Sequence, residues 1–333
     1  MAILAIDQGA SKTSVLVASL DGRILGEGKS EGACYFTVGL ERAKSAIMTA
    51  AFQALAQAGL TINDISIVIG GLAGANWPDE IEMLQNEMKS LFKLEKAWVW
   101  NDSVIALRAG TDSDCGIVLC CGSGMNCAVV IGGKLHAVYN NYIDSVDQGG
   151  EGFGHRVLKA VFQSHIKIKG PTSLTKRVME FFGYYDMDAM LLAYQRGHLT
   201  RRLKDISVLL FDEAKHNDRE ALEIIYSYGK SISRYVTSAI KRYDIDTKKC
   251  EVILSGGLFK IDNPLLAETV CSHIHRVYSD VKIKQAKYEP VVGAVLMGLD
   301  MIETKDGKAH DLCKKEAEKR GLTRFGWSLS NVV

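Results

Sequence analysis

The chain has 333 residues, about twice a common domain length, so two domains are expected. It is 47% hydrophobic and 24% charged, with 40 Lys and Arg balancing 39 Asp and Glu to a net charge of +1. Such a composition builds ordinary globular cores, and so even a balance speaks against a broad surface for nucleic acid or an anionic membrane.

In chain order, the first segment reads as three strands, Ile3–Ile6, Ser14–Ser19 and Arg23–Gly28, joined by the loop Asp7-Gln8-Gly9-Ala10-Ser11-Lys12-Thr13 and the Asp21-Gly22 turn. A helix over Leu40–Ala58 follows, then a strand (Ile65–Ile69), a helix (Asp79–Phe92), a strand (Ala97–Trp100) and a helix from Ser103. Gly116–Cys121, Gly122-Ser123-Gly124-Met125-Asn126, Cys127–Ile131, Gly132-Gly133 and Leu135–Tyr139 then repeat the opening layout. Two hairpin modules, each opening on a glycine-rich turn, imply a duplicated domain. Several helices are expected over 153–242, the clearest starting near Asp218 with Ala221, Ile224, Ile225, Tyr228 and Ile232 on one face. A strand (Glu251–Leu254), the Gly256-Gly257 pair, a helix from Pro264 and a helix over Val291–Ile302 complete the pattern. Alternating strands and helices predict an α/β fold with mixed sheets. The expected domains are 1–110 and 111–302, the second with a helical insertion over about 153–242. A C-terminal helix within about 303–333 is expected to pack back on the first domain. The charged run Lys305–Arg320 reads as a solvated helical face, and Leu322–Val333, with Phe325 and Trp327, as a docking segment.

The eight cysteines (Cys34, Cys115, Cys120, Cys121, Cys127, Cys250, Cys271 and Cys313) form no CxxC pair and no zinc-spaced ladder. Reduced thiols in a cytoplasmic chain are expected. The uncharged stretch Cys115–Gly133 contains five glycines and reads as strand, turn, strand rather than a membrane span. The opening Ile3-Leu4-Ala5-Ile6-Asp7 has no basic leader region, so no signal peptide is expected.

The loop Asp7–Thr13 offers successive N–H groups, two hydroxyls and a lysine at the end of a buried strand, a chemistry suited to phosphate. It is neither a Walker A loop nor a dinucleotide fingerprint. A hairpin turn with a half-exposed Asp explains the same residues, as a turn explains Gly122-Ser123-Gly124. Two such loops at equivalent places in a duplicated fold favour a polyphosphate held in an interdomain cleft.

Taken in order, Asp7–Thr13, Gly70-Gly71-Leu72-Ala73-Gly74-Ala75, Asn101-Asp102, Gly122–Asn126, Ser255-Gly256-Gly257-Leu258 and Pro290-Val291-Val292-Gly293-Ala294 resemble the actin/hexokinase/Hsp70 superfamily. The match is to its N-acetylglucosamine kinase branch, which shares its domain with the activator ATPases of CoA-ester reductases. The resemblance spans about residues 3–300 and implies duplicated RNase H-like (actin-like ATPase) domains, with mixed β-sheets flanked by helices and a cleft between the domains. It implies that Asp7, Gly9, Ala10, Ser11, Lys12 and Thr13 form the first phosphate loop and Gly122, Ser123 and Gly124 the second. Gly256 and Gly257 would receive adenosine, and Asp7 would hold Mg²⁺ through water. Gly70-Gly71 and Gly293-Ala294 would be the connecting elements.

Asp102 stands after a strand and before a helix. The resemblance implies a general base that accepts the proton of an attacking sugar hydroxyl; a plain N-cap is the alternative reading of the same position. The acceptor side departs from the family. Cys34 stands near the Asn of the usual Gly-Pro-x-Asn, and a thiol cannot replace an amide's paired donor and acceptor. The later Gly-Asp-Glu-Gly-Ser segment reads Asp147-Gln148-Gly149-Gly150-Glu151-Gly152. Cys34, Tyr35, Gly74, Asn101, Asn126, Asp147, Gln148 and Glu151 are the candidate acceptor contacts, with Trp77 beside them.

These expectations amount to an ATP- and Mg²⁺-dependent kinase for a small sugar acceptor, most simply an aminosugar such as N-acetylglucosamine. Neither nucleic acid nor a membrane is expected as a partner, and a homodimer is compatible with the chain. Two alternatives belong to other classes: an ATPase activator of a CoA-ester reductase, which needs cysteines for a shared iron–sulfur cluster, and a nucleotide or sugar sensor without turnover.

Overall fold

The structure is a computed structural model in which residues 1–302 and 307–323 are described. The part of the expected docking segment beyond Thr323, including Phe325 and Trp327, lies outside the described residues. The chain forms two compact units. Of the described residues, one comprises Met1–Val118, Ala128–Val138, 284–302 and 307–323; the other comprises Leu119–Cys127 and Tyr139–Ile283.

Strands β1 (Ala2–Gln8), β2 (Lys12–Ser19) and β3 (Ile24–Glu31) open the chain, followed by a short helix α1 (Tyr35–Val38) and the long helix α2 (Leu40–Ala58). Next come β4 (Ile65–Leu72), α3 (Pro78–Phe92), β5 (Ala97–Asn101) and α4 (Asp102–Arg108). These five strands form a sheet in the order β3-β2-β1-β4-β5, antiparallel on the hairpin side and parallel across β1, β4 and β5.

Strands β6 (Gly116–Cys121), β7 (Met125–Ile131) and β8 (Lys134–Val138) lead to helices α5 (Gly149–His165), α6 (Leu174–Phe182), α7 (Met187–Gln195), α8 (Ser207–Lys215) and α9 (Arg219–Arg242). Then follow β9 (Glu251–Ser255), α10 (Leu265–His275), β10 (Lys282–Gln285), α11 (Pro290–Met301) and α12 (Lys308–Lys319). The second sheet has the order β10-β9-β6-β7-β8, which is the first order with β6 in the place of β1. The duplication read in the sequence is therefore present in the strand order itself, and the fold is mixed α/β.

Alternation along β1 sends its side chains to two different cores. Leu4 and Ile6 join Ile47, Ala50, Leu84 and Met88 of α2 and α3 on one face. Ile3 and Ala5 join Ile105 of α4 and Val292 and Val295 of α11 on the other. Asp7 continues the second series and so stands on the α4 face. Small residues let that layer close: an added Cβ at Gly71 would meet the Ile105 side chain, and one at Gly293 would lie 2.0 Å from the Ile105 carbonyl. Helix α12 corrects the reading of the charged tail as only a solvated face. Ala309, Cys313 and Ala317, four residues apart, are buried in this same core while the lysines and glutamates face outward. Strand β10 was not expected from its charged sequence, Lys282-Ile283-Lys284-Gln285.

Candidate active site

The first glycine loop leaves β1 at Gln8 and returns into β2 at Lys12. Gly9 N–H donates to the Lys12 carbonyl at 2.9 Å, and the Gly9 carbonyl accepts from Ala33 N–H at 3.1 Å. The Gln8 side chain anchors the loop from the opposite face by donating to the Ala43 carbonyl of α2 at 2.9 Å. Thr13 is fully buried, and its hydroxyl donates to the Glu31 carbonyl at 2.8 Å, so it fixes the loop's exit. Ala10 and Ser11 are exposed. The Lys12 ammonium lies 3.2 Å from Glu289, the residue that precedes α11.

Asp7 is buried at the end of β1, opposite Ser14 on β2 and Gly71 on β4. The Ser14 hydroxyl oxygen is buried with no hydrogen-bond partner. A buried orphan oxygen beside a buried carboxylate is an incomplete polar site, because such atoms are normally satisfied by protein, water or ligand.

Asp102 shares this face. It is the first residue of α4, and the N-cap is its neighbour Asn101, whose side chain accepts from Ser103 N–H at 3.0 Å. Asn101 is thus the N-cap, and the Asp102 carboxyl also accepts from the Ser103 backbone N–H. The Asp102 carboxyl is pushed up to about 7, first by burial and next by the nearby Asp7 charge. A carboxyl with a midpoint near neutrality and a like charge beside it is the pattern expected of a proton acceptor in a polar site.

The acceptor-side candidates Cys34, Tyr35 and Gly74 are brought together. Gly74 has φ +92°, and an added Cβ there would lie 2.7 Å from the Tyr35 ring and 3.2 Å from Cys34 Sγ. Glycine is required twice over, by its backbone angle and by the space the ring takes. The Cys34 thiol approaches the Ala73 carbonyl at 3.4 Å. Asn101 is buried and donates to the Asn76 side chain at 2.9 Å. Trp77 is exposed and stands directly before Pro78, the first residue of α3. Sequence reasoning missed Glu80. Its carboxylate accepts from the Tyr35 hydroxyl at 2.9 Å and from Asn76 N–H and Trp77 N–H at 2.9 and 3.0 Å. The only local sequence signal was a carboxylate three residues after the helix N-cap.

In the other unit, Gly122–Gly124 folds against the start of α5. Gly122 N–H donates to the Gly124 carbonyl at 2.9 Å, Gly150 N–H to the Gly122 carbonyl at 2.8 Å and Glu151 N–H to the Ser123 carbonyl at 3.2 Å. Gln148 accepts from Met125 N–H at 3.1 Å, so it supports the loop that leads to Asn126. Gly149 has φ +36°, and a Cβ there would lie 2.3 Å from the Gly124 carbonyl. Glu151 is exposed and Asn126 buried.

Asp147 is almost fully buried and engaged on both oxygens, by Arg156 at 2.8 Å and by the Ser231 hydroxyl at 2.7 Å. Its carbonyl also accepts from the Tyr228 hydroxyl at 3.0 Å. These partners lie on α5 and α9, too distant in sequence to be seen there. Around the adenosine candidates, Gly256 (φ +107°) abuts the Cys121 backbone, whereas a Cβ at Gly257 would meet nothing within 4 Å. Gly257 is thus the open member of the pair. Cys121 and Cys127 are buried, and burial pushes both thiols far above their ordinary value.

Residues 4–298 match the model of the BadF/BadG/BcrA/BcrD ATPase family. The chain is 22% identical over 298 residues to the N-acetylmuramic acid/N-acetylglucosamine kinase of Clostridium acetobutylicum, covering 89% of this chain and 97% of that protein. It is also 22% identical over 314 residues to the N-acetyl-D-glucosamine kinase of Dictyostelium discoideum, with coverage of 89% and 97%. Among solved structures, a ROK family glucokinase from Streptomyces griseus in complex with glucose and AMPPNP superposes with a TM-score of 0.59. The identity is 18%, with 95% of this chain and 100% of that chain covered, a likeness of fold.

Proposed function

The chain belongs to the BadF/BadG/BcrA/BcrD ATPase family, and from that premise we propose that it is an ATP-dependent kinase that phosphorylates a hydroxyl of a small sugar. An aminosugar such as N-acetylglucosamine is the first acceptor to try, on the strength of the two kinases matched over most of the chain.

One observation carries the reading: Asp102 and Asp7 stand close together, and burial with the nearby Asp7 charge pushes the Asp102 carboxyl up to about 7 while Asn101 serves as the helix N-cap. A sugar hydroxyl is a poor nucleophile until its proton is taken. Asp102 accepts that proton as the hydroxyl oxygen attacks the γ-phosphorus; the bond to the bridging oxygen breaks and ADP leaves. In each unit the glycine loop offers backbone N–H groups suited to phosphate oxygens, at Ala10 and Ser11 in one and at Ser123 and Gly124 in the other, where preformed dipoles cost no reorganisation. Gly257 offers uncovered backbone to adenosine.

Asp7 and the orphan Ser14 hydroxyl fit a hydrated Mg²⁺, which takes oxygen ligands and keeps several waters. When bound, that ion supplies neutralising charge for the phosphates. On the acceptor side, Cys34, Tyr35 and Gly74, which one unit brings together, form the wall. Asp147 is omitted because both its oxygens are engaged.

The test is a coupled ADP-release assay with N-acetylglucosamine, N-acetylmuramic acid, glucosamine and glucose. At least one should stimulate release well above the background hydrolysis of ATP. If none does, the sugar-kinase reading is wrong.

A further inference from the structure

We propose that Glu80 is a positioning residue that joins the acceptor wall to the base, a role that rests on the kinase reading above. As a helix cap Glu80 needs only one carboxylate oxygen, the Oε2 that accepts from Trp77 N–H at 3.0 Å. It does more. The same oxygen accepts from Asn76 N–H at 2.9 Å, and Oε1 accepts from the Tyr35 hydroxyl at 2.9 Å, on an element far away in sequence.

Each of these contacts leads to the site. Tyr35 is held with its ring where a Gly74 side chain would stand, beside Cys34. Asn76, fixed through its N–H, presents its side-chain oxygen to Asn101 at 2.9 Å. Asn101 in turn caps the helix that begins with Asp102. One carboxylate therefore sets the ring that faces the acceptor and, through two asparagines, the start of the helix that carries the base.

The experiment uses the full chain, N-acetylglucosamine as the acceptor and the variants Glu80→Ala, Glu80→Gln, Tyr35→Phe and Asp102→Asn. Glu80→Ala should raise the acceptor KM about tenfold and lower kcat, with the ATP KM within about twofold. Glu80→Gln should recover most of this loss, because the amide oxygen still accepts from the backbone N–H groups and the amide nitrogen can donate to Tyr35. Tyr35→Phe, which leaves the cap intact, should reproduce the rise in acceptor KM.

A second readout needs no turnover. Alkylation of Cys34 by iodoacetamide, followed by peptide mass spectrometry, should be several-fold faster in Glu80→Ala and Tyr35→Phe, since the ring is no longer tied beside the thiol. The proposal is overturned if these variants lower only the melting temperature, leaving Cys34 alkylation and the ratio of the two KM values unchanged. The two ideas fail differently. A wild type whose ADP release no sugar stimulates removes the kinase reading; a sugar-stimulated wild type with normal acceptor KM and Cys34 alkylation in Glu80→Ala removes this one alone.

Discussion

Asp102 is where a single residue's environment decides the chemistry. Burial and the Asp7 charge favour its protonated form up to about pH 7, so kcat/KM should rise as pH rises through about 7 and then level off. The effect on stability has the opposite direction. The group's ordinary value is 3.8, so its contribution to the folded state is fully present below that pH and is lost as pH rises through about 7. Asp102→Asn should therefore lower turnover by about 10²–10⁴-fold. It should also melt higher than wild type at pH 8, by an amount on the order of 2 kcal/mol, with the gain vanishing near pH 4. Thermal melts across that range check the sign, and a variant that melts lower at pH 8 would mean that burial and the Asp7 charge do not disfavour the ionised carboxyl. The position of this Asp was legible in the sequence because strand, Asn-Asp and helix follow one another locally. Which of the pair is the N-cap was not, since Asn and Asp are both good caps and only the backbone decides which one turns.

At the scale of elements, the loops depend on what packs behind them. Gly149 is one such case, with φ +36° and a Cβ position 2.3 Å from the Gly124 carbonyl. Gly149→Ala should displace the Gly122–Gly124 turn and weaken adenine nucleotide binding about tenfold or more, as calorimetry would read. Asn101→Ala removes the α4 cap and the bond to Asn76 and should cost about 1–2 kcal/mol of stability in a denaturant titration. The glycine-rich turns and α2, whose predicted and observed limits coincide at Leu40–Ala58, were readable because their signals are local: punctuating glycines and an apolar period. Glu80, Asp147 and β10 were not. Tyr35 for Glu80, and Tyr228 and Ser231 for Asp147, come from elements far away in the chain, and β10 is a strand only because β9 lies beside it.

For the whole molecule, duplication was visible as two hairpin modules of the same grammar, and the strand order repeats it. The C-terminal helix was harder, because its charged surface conceals a three-residue apolar stripe. Cys313 is fully buried in the core of α4 and α11, so Cys313→Asp should destabilise that unit by about 3 kcal/mol or more, whereas Cys313→Ala should cost far less. Equal melting temperatures for the two variants would argue that α12 does not pack there. The central claim is acceptor-dependent phosphoryl transfer with Asp102 as base, and one comparison tests it most directly: ADP release by wild type and Asp102→Asn, with and without aminosugar at pH 8. The sugar should strongly stimulate the wild type and barely stimulate the variant, with nucleotide binding retained in both. Sugar-stimulated release that is undiminished in Asp102→Asn would contradict it.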